Sequence, residues 1–424
     1  MQRARRFAFF LAAAVLPAAG APSAAAPAWE EPVEIAIGRG ARGPWRQNDS
    51  YYDYVDDASV AFARDGSLAV AWVDQKSRDV WLRGVAKDGR PGAPVNVSRS
   101  PATFSWLPRI AADPGRPGRL CLLWQEIVFS GGSHGGDILF ACSDEHGKDF
   151  STPLNLSRST GGDGKGRLAR DAWSNGSLDL AIGADGAVFA AWTEYHGALW
   201  MARSFDRGAS FSAPRRIAGD QARPARAPAL ALGPNGAVHL AWSVGEDPRA
   251  AIRVARSRDR GASFGPPLQV GGGAGAADAP RLAADGAGSL HLVYAQGGAV
   301  RYARAAPGAP FRPARTLSNG PARAAAAYPT LAGDGRGVLV AAWENMGNGG
   351  RPRSLGIAVS RDGGRSFSAP ATVPGSEAPA GGANGSQQGL LGSKLAVAFD
   401  GRIALVNSSL VPGRRSRVWL MRAR

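Results

Sequence analysis

The stretch APALALGPNGAVHLAW (residues 227–242) decides the fold of this 424-residue chain. Apolar residues alternate on both sides of Asn235-Gly236, as they do in the two strands of a hairpin. Asn-Gly between two such runs is a strong hairpin signal, because both residues tolerate a positive φ. Equivalent turns recur at 65–66, 113–115, 185–186, 285–286, 334–335 and 400–401. The chain therefore reads as seven copies of one small antiparallel unit.

Each copy continues in the same way beyond its hairpin. The second strand ends in an aromatic residue in six copies and in Val406 in the last; the aromatic residues are Trp72, Trp124, Trp192, Trp242, Tyr294 and Trp343. A third strand such as AIRVARS (251–257) and a short fourth strand such as PLQVG (267–271) follow. Four strands in about 50 residues are typical of a β-propeller blade.

The two ends of the chain complement each other. The seventh copy stops at its third strand because the chain ends at Arg424, whereas PVEIAIG (32–38) has the form of a fourth strand with none before it. We expect the N-terminal strand to complete the C-terminal blade and so to remove the open sheet edge. The predicted fold is all-β, a seven-bladed propeller of four-stranded blades spanning 27–424 as a single domain, with a six-bladed ring as the alternative.

An octapeptide separates the third and fourth strands of several copies. It reads SFDRGASF at 204–211, SRDRGASF at 257–264 and SRDGGRSF at 360–367, with a weaker version, SDEHGKDF, at 143–150. The Ser hydroxyl and the Asp carboxylate can bond nearby backbone N–H groups, Gly allows a positive φ, and Phe can pack between strands. The motif therefore predicts a turn that is stabilised by its own side chains.

These octapeptides resemble the Asp-box, or bacterial neuraminidase repeat, of the sialidase superfamily, whose pattern is Ser-x-Asp-x-Gly-x-x-aromatic. The resemblance covers essentially the whole chain after residue 26. It implies a propeller in which the repeats lie on the face opposite the active site and serve the fold. It also implies that the protein acts on glycans.

The end of the ring where the inner strands begin, called the mouth below, is where we expect a functional site. The long loops of the predicted blades lead there, at 45–57, 127–137, 160–173 and 345–354. Acidic residues follow the aromatic position of four copies, namely Asp74, Glu126, Glu194 and Glu344. Carboxylates, aromatic rings and arginines that converge on a concave surface are the usual signature of a binding or active site.

Sialidases use three arginines to hold the substrate carboxylate, a Tyr nucleophile activated by Glu, and an Asp as acid/base. The resemblance places the Tyr in YPTLAGDGRGVLVAAWE (328–344), which nominates Tyr328, with Glu194 as its activator and Asp57 as the acid/base. It assigns the three arginines to starts of inner strands, at Arg109, Arg170 and Arg281. A neutral phenol suits this reaction because it attacks an oxocarbenium-like centre without repulsion from the carboxylate.

Three functions remain open from the sequence. They are a sialidase-type glycoside hydrolase, a non-catalytic propeller that binds a glycan or a protein, and a scaffold for assembly of the cell envelope. The expected ligand is a glycan or glycoconjugate, and the protein is expected to be a monomer. No metal or cofactor is predicted, since the histidines lack zinc spacing; the acidic segment DYVDD (53–57) is a weak candidate for Ca²⁺ without EF-hand spacing.

The first 26 residues have the pattern of a signal peptide. Arg3, Arg5 and Arg6 precede a short apolar run and then small residues, so we expect export to the periplasm or the medium. The formal charge of +16 comes from dispersed arginines without a basic helix, which argues against nucleic-acid binding. No segment is apolar over the roughly 20 residues of a membrane span. Cys121 and Cys142 flank a predicted hairpin, where either a disulfide or two buried thiols fit.

Overall fold

The structure is a computed structural model that describes residues 27–44, 51–100, 103–130, 133–157, 166–169, 172–174, 178–194, 196–245, 249–273, 275–319, 325–347, 350–377, 383–384, 393–411 and 413–424. These residues form an all-β ring of seven blades, each a sheet of four antiparallel strands. The prediction of a seven-bladed propeller is confirmed. The predicted signal peptide, residues 1–26, lies outside the described residues.

The strands of each blade follow one another along the chain from the ring axis outward. Blade 1 contains Val55–Phe62, Leu68–Asp74, Asp79–Val85 and Pro91–Asn96. Blade 2 contains Phe104–Ala112, Leu120–Ser130, Ser133–Ser143 and Leu154–Asn155. Blade 3 contains Leu178–Ile182, Val188–Thr193, Leu199–Ser204 and Arg215–Ala218. Blade 4 contains Ala225–Leu232, Val238–Val244, Ala251–Ser257 and Leu268–Gly271. Blade 5 contains Ala277–Ala284, Leu290–Gln296, Ala299–Ala305 and Arg315–Thr316. Blade 6 contains Ala326–Gly333, Leu339–Met346, Pro352–Ser360 and Ala371–Thr372.

Blade 7 combines the two ends of the chain. Its inner strands are Leu395–Val397, Ile403–Leu410 and Ser416–Ala423, and the N-terminal strand Val33–Gly38 pairs antiparallel with the last of these. Ile35 in that strand is fully buried and belongs to a cluster with residues of blades 1 and 7. The predicted closure of the ring by the N-terminal strand is thus confirmed.

The ring also has short strands in addition to the four strands of each blade. Two-residue strands Ala41–Arg42 and Tyr52–Asp53 pair in a hairpin before blade 1, and Gly166–Ala169 pairs with Ala172–Ser174 before blade 3. Ala383–Asn384 pairs with the second strand of blade 7. The turn Pro234–Gly236 is a 3₁₀ turn. Among the described residues, no helix is long and apolar enough to cross a membrane.

The octapeptide turns have the predicted self-stapled geometry. In the copy of blade 3, the Ser204 hydroxyl donates to Asp206 at 2.7 Å and accepts the Gly208 backbone N–H at 2.8 Å. The Phe211 ring packs edge-on against Phe140 of blade 2, with 4.9 Å between ring centroids. These turns lie at the end of the ring opposite the mouth, called the turn face below.

The core consists of the apolar faces between neighbouring sheets. Trp124 and Trp192, two of the repeated aromatic residues, are almost completely buried. Cys121 and Cys142 face each other on adjacent strands of blade 2 and form a disulfide. The sequence left open either a disulfide or two buried thiols for this pair, and the structure contains the disulfide.

Candidate functional site

The inner strands share an irregularity near the mouth. In five blades one residue of the inner strand has a positive φ, between 47° and 59°, and a register shift follows it; these residues are Asp57, Leu107, Ala227, Ala279 and Tyr328. In four of the five the next residue is Pro. A bulge of this kind re-aims the side chains beside it, which is why bulges often occur next to binding sites.

Charged side chains meet just below these bulges. Arg109 of blade 2, Asp179 of blade 3 and Arg281 of blade 5 occupy equivalent positions, each opposite the residue that precedes the repeated aromatic. Arg281 Nη1 lies 3.8 Å from Asp179 Oδ1. Because blades 3 and 5 are not neighbours in the ring, these side chains must reach each other at the propeller axis. We call Arg109, Asp179 and Arg281 the axial cluster.

The axial cluster is held by backbone as well as by charge. Asp179 Oδ2 accepts the Leu230 backbone N–H at 2.7 Å, and Arg109 Nε donates to the Leu178 carbonyl at 3.2 Å. Arg109 is 2% exposed and Arg281 is 7% exposed. Both guanidiniums therefore sit inside the protein.

Burial dominates the electrostatics of the axial cluster. Burial and, to a smaller extent, the positive charge of Arg281 lower the pKa of Arg109 to about 9, against the opposing effect of the Asp179 and Asp57 carboxylates. Burial also raises the pKa of Asp179, although both arginines act in the opposite direction. Asp57 thus acts on the cluster from the bulge position of blade 1, as part of the same group of charges.

Tyr328 occupies the bulge position of blade 6. Its partly buried ring packs against Ala227 and Ala279, the bulge residues of blades 4 and 5. Burial raises the pKa of the Tyr328 phenol, and the negative charges of Asp278 and Glu344 raise it further. The phenol is therefore neutral at physiological pH and can both donate and accept hydrogen bonds.

Both carboxylates beside Tyr328 have cationic partners. Asp278 accepts from Arg226 Nη1 at 3.1 Å and from the Ser243 hydroxyl at 2.7 Å. Glu344 forms a buried ion pair with Lys394. The charges around Tyr328 are thus paired and largely buried, and the Asp278 carboxylate is the partly exposed member of the group.

Four of the six residues nominated from the sequence lie in this region: Tyr328, Asp57, Arg109 and Arg281. Glu194 lies in blade 3, where its carboxylate accepts the Trp200 indole N–H at 3.3 Å. The carboxylates whose charge acts on Tyr328 are Asp278 and Glu344 rather than Glu194. Arg170 lies outside the described residues.

Four residues of this region are not predicted from the sequence: Asp179, Asp278, Arg226 and Lys394. The sequence does contain one signal for Asp179. When the repeats are aligned, LDLAI (178–182) has an Asp at the position where APRLAAD and LPRIAAD have an Arg. One repeat thus has an acidic residue where two others have a basic one.

A second group of carboxylates lies in blade 1. Asp56 accepts Gln75 Nε2 at 3.0 Å, and burial, followed by the charge of Asp57, raises its pKa well above the ordinary value. This group includes the segment considered for Ca²⁺. Within the part of the chain that the structure describes, no group of three or more His, Cys, Asp or Glu side chains has a metal-binding arrangement.

These features define a seven-bladed β-propeller with self-stapled turns on one face and a polar surface, above a buried ionic cluster, on the other. No protein-family model matches the sequence, and no curated protein matches it. Similarity is found only at the level of three-dimensional structure.

Three solved structures illustrate that similarity. An ulvan lyase of polysaccharide lyase family PL25 aligns with a TM-score of 0.54 and 11% identity, over 92% of this chain and 95% of its own. The polysaccharide lyase Uly1 gives a TM-score of 0.53 and 12% identity, over 93% and 99%. The Hadza microbial sialidase Hz136 gives 0.51 and 13%, over 73% of this chain and 66% of its own length. At such identities the likeness concerns the fold alone.

Proposed function

We propose that this protein is an exported propeller that binds a glycan at its mouth without cleaving it. The observation that carries the proposal is the surface around Tyr328. A partly exposed aromatic ring with a neutral hydroxyl stands close to the Asp278 carboxylate, which is 31% exposed and is held in place by the buried Arg226 and Ser243. An apolar ring edged by such groups suits a sugar, whose hydroxyls need both hydrogen-bond donors and acceptors.

The pairing of the charges favours binding over hydrolysis. A sialidase-type site needs cationic side chains available to a substrate carboxylate, but Arg109 and Arg281 are buried with Asp179. It also needs a base for the tyrosine, whereas Glu344, the acid of Tyr328's own blade, is ion-paired to Lys394.

Export is supported by two features of the chain. Residues 1–26 have the composition of a signal peptide. The Cys121–Cys142 disulfide is typical of oxidising compartments such as the periplasm and the medium. The glycan class is also compatible with the sialidase and the polysaccharide lyases that share the fold, although fold analogy alone is weak support.

The proposal is tested by calorimetric titration of the protein lacking residues 1–26 with a panel of neutral and acidic oligosaccharides. Tyr328→Ala should weaken binding roughly tenfold, as expected for loss of a central aromatic contact. The control is Phe205→Ala, which removes an exposed ring on the turn face and should leave affinity unchanged. Binding that is insensitive to Tyr328→Ala, or no binding to any member of the panel, would reject the proposal.

Sialidase-type hydrolysis is the second candidate, because Tyr328, Asp57, Arg109 and Arg281 all belong to inner-strand ends at the mouth. The discriminating measurement is release of the fluorophore from a fluorogenic sialoside. Release by the wild type that is abolished in Tyr328→Phe would establish hydrolysis and place it at the mouth. A folded wild-type protein that binds a glycan but releases no fluorophore would leave the binding function.

A further inference from the structure

The turn face contains a cleft that the proposed function does not use. It lies between blades 4 and 5 and has a volume of about 940 Å³. Its apolar walls include Val254 and Leu290, and its polar lining includes His239, Arg256 and Arg258. Pockets of a few hundred to about 1,000 Å³ are the usual size for small-molecule ligands.

The cleft exists because one inter-blade contact is missing. Elsewhere the glycine of an octapeptide turn presses on the preceding blade. A Cβ at Gly208 would lie 2.6 Å from Phe140, one at Gly261 would lie 2.8 Å from Met201, and one at Gly364 would meet the Tyr302 hydroxyl. The corresponding Gly308 of blade 5 has no neighbour within 4 Å.

On both sides of that contact, the residues differ from the corresponding residues of the other blades. The blade 5 turn lacks the Ser and Asp of the motif, and five residues rather than six separate its start at Ala305 from Phe311. On the blade 4 side, Val254 occupies the position held by Phe140, Met201 and Tyr302 in other blades. A shorter turn and a smaller side chain leave the space open.

The missing contact also leaves His239 without the hydrogen bonds that its counterpart in blade 5 makes. Its counterpart in blade 5, His291, is hydrogen-bonded through Nδ1 to the Tyr302 hydroxyl at 2.8 Å and through Nε2 to Asp285 at 3.4 Å. In blade 4 the two partner positions are Val254 and Gly233. His239 is only 5% exposed, and its Nδ1 is buried without a hydrogen-bond partner among the residues that the structure describes. An unsatisfied buried polar group of this kind calls for a ligand or water.

The charges around His239 define the kind of ligand. Arg256 is directly opposite His239 on the adjacent strand, and Arg258 lies two residues further along. Both side chains are exposed, and neither takes part in any of the ion pairs of the described residues. Asp259 also lines the cleft, and its carboxylate accepts hydrogen bonds from the Ser257 and Ser263 hydroxyls. With two arginines and one carboxylate, the charged lining of the cleft has a net positive charge.

We propose that this cleft binds a small amphipathic carboxylate, with its apolar body between blades 4 and 5 and its carboxylate on Arg256. The imidazole of His239 hydrogen-bonds the ligand in place of the hydroxyl that His291 has in blade 5. Burial, assisted by the charge of Arg256, lowers the pKa of His239 to about 4, so the ring stays neutral and needs no counter-ion of its own. The site is independent of the mouth and of any activity there.

The probe is 1-naphthoate, titrated calorimetrically into the protein lacking residues 1–26. Naphthalene-1-methanol, which keeps the ring but not the charge, and acetate, which keeps only the charge, should both bind more weakly. Arg256→Gln should weaken naphthoate binding roughly tenfold, because a charge-assisted hydrogen bond is lost. Arg256 is exposed, so this change leaves folding intact. Arg253→Gln, on the same strand but outside the cleft, is the matched control.

A second variant tests the location of the site. Val254→Tyr gives blade 4 the side chain that contacts His291 in blade 5, and should fill the cleft and abolish binding while circular dichroism shows a folded protein. Failure of the folded wild type to bind naphthoate, or equal affinity in wild type and Arg256→Gln, would overturn the proposal. Affinity for the naphthyl alcohol equal to that for naphthoate would also overturn it, since the cleft would then be only an apolar surface.

Discussion

Arg281 of blade 5 and Asp179 of blade 3 form an ion pair of 3.8 Å across the propeller axis, with side-chain exposures of 8% and 12%. Blade 4 separates the two in sequence and in the ring. The contact therefore links non-adjacent blades, and it does so where water is largely excluded. In such an environment the loss of one partner leaves a buried charge without compensation.

Asp179→Asn should accordingly destabilise the protein by about 3–5 kcal/mol, because Arg109 and Arg281 are left facing each other without the carboxylate. The amide is nearly isosteric with the carboxylate and can still accept the Leu230 N–H. The loss of stability therefore measures the contribution of the negative charge of Asp179. Urea unfolding followed by tryptophan fluorescence measures it.

The control for Asp179→Asn is an exposed ion pair of shorter distance. Arg90 and Asp88 are 2.7 Å apart with side chains 85% and 53% exposed, and Asp88→Asn should change the urea midpoint much less than Asp179→Asn does, because solvent screens an exposed pair. Equal effects of the two substitutions would contradict the assignment of a stabilising role to the axial cluster. The Asp179→Asn/Arg281→Gln double variant should lose less stability than the sum of the single changes.

Closure of the ring by the N-terminal strand makes a second prediction. Ile35 is fully buried whereas Ile37, two residues away, is 47% exposed. Ile35→Ala should cost about 2–5 kcal/mol through lost burial and a residual cavity. Ile37→Ala in the same strand should change the free energy of unfolding by about 0.5 kcal/mol at most.

Urea unfolding midpoints of the two variants provide the comparison. A small effect of Ile35→Ala would mean that the strand contributes little to blade 7 and that the ring is effectively closed by the remaining three strands.

The sequence predicts the fold well because the fold is local and repeated. Asn235-Gly236 and its six counterparts specify each hairpin from neighbouring residues, and PVEIAIG can be matched to blade 7 by counting strands. The axial cluster is different. Asp179 reads as an ordinary strand residue until the ring brings it to Arg281, about 100 positions away, and only the closed propeller creates that proximity.

The same reasoning explains the outcome for the partner of Tyr328. Several blades carry an acid after the aromatic position, so the sequence alone cannot choose among Glu194, Glu344 and the others. The strand pairing of blade 6 places Glu344 opposite Ala327, next to Tyr328, and the activator role of Glu194 stays a prediction. The role of each of these residues in any reaction stays a prediction.

A third prediction separates backbone strain from packing in the octapeptide turns. Gly208 and Gly308 have φ values of +85° and +72°, so an alanine at either position pays a left-handed backbone cost of about 1–2 kcal/mol. Only at Gly208 does the new methyl group meet a neighbour, at 2.6 Å from Phe140. Gly208→Ala should therefore cost about 1–3 kcal/mol more than Gly308→Ala, through overpacking.

The difference is measured by urea unfolding of both variants under identical conditions. Because the two glycines share the backbone term, it cancels in the comparison. Equal losses would show that blade 5 packs against blade 4 as tightly as blade 3 packs against blade 2. That result would contradict the open space between blades 4 and 5 on which the proposed ligand cleft depends.

The last prediction concerns pH. Asp206 accepts hydrogen bonds from the Ser204 and Ser210 hydroxyls, and these hold its pKa at about 2 in the folded protein. The pKa of an aspartate in the unfolded chain is about 3.9. Since the folded state favours the ionised form, Asp206 stabilises the protein at neutral pH, and the contribution is lost as the pH falls from about 4 to about 2.

Asp206→Asn removes this titration. The difference in urea midpoint between wild type and Asp206→Asn should be constant from pH 7 down to about pH 5, then shrink steadily towards about pH 2. Ser210→Ala, which removes one donor, should show the same pH dependence with a smaller amplitude. A midpoint difference that does not change with pH would mean that the carboxylate of the octapeptide turn stabilises the fold by shape alone, and that its ionisation contributes nothing.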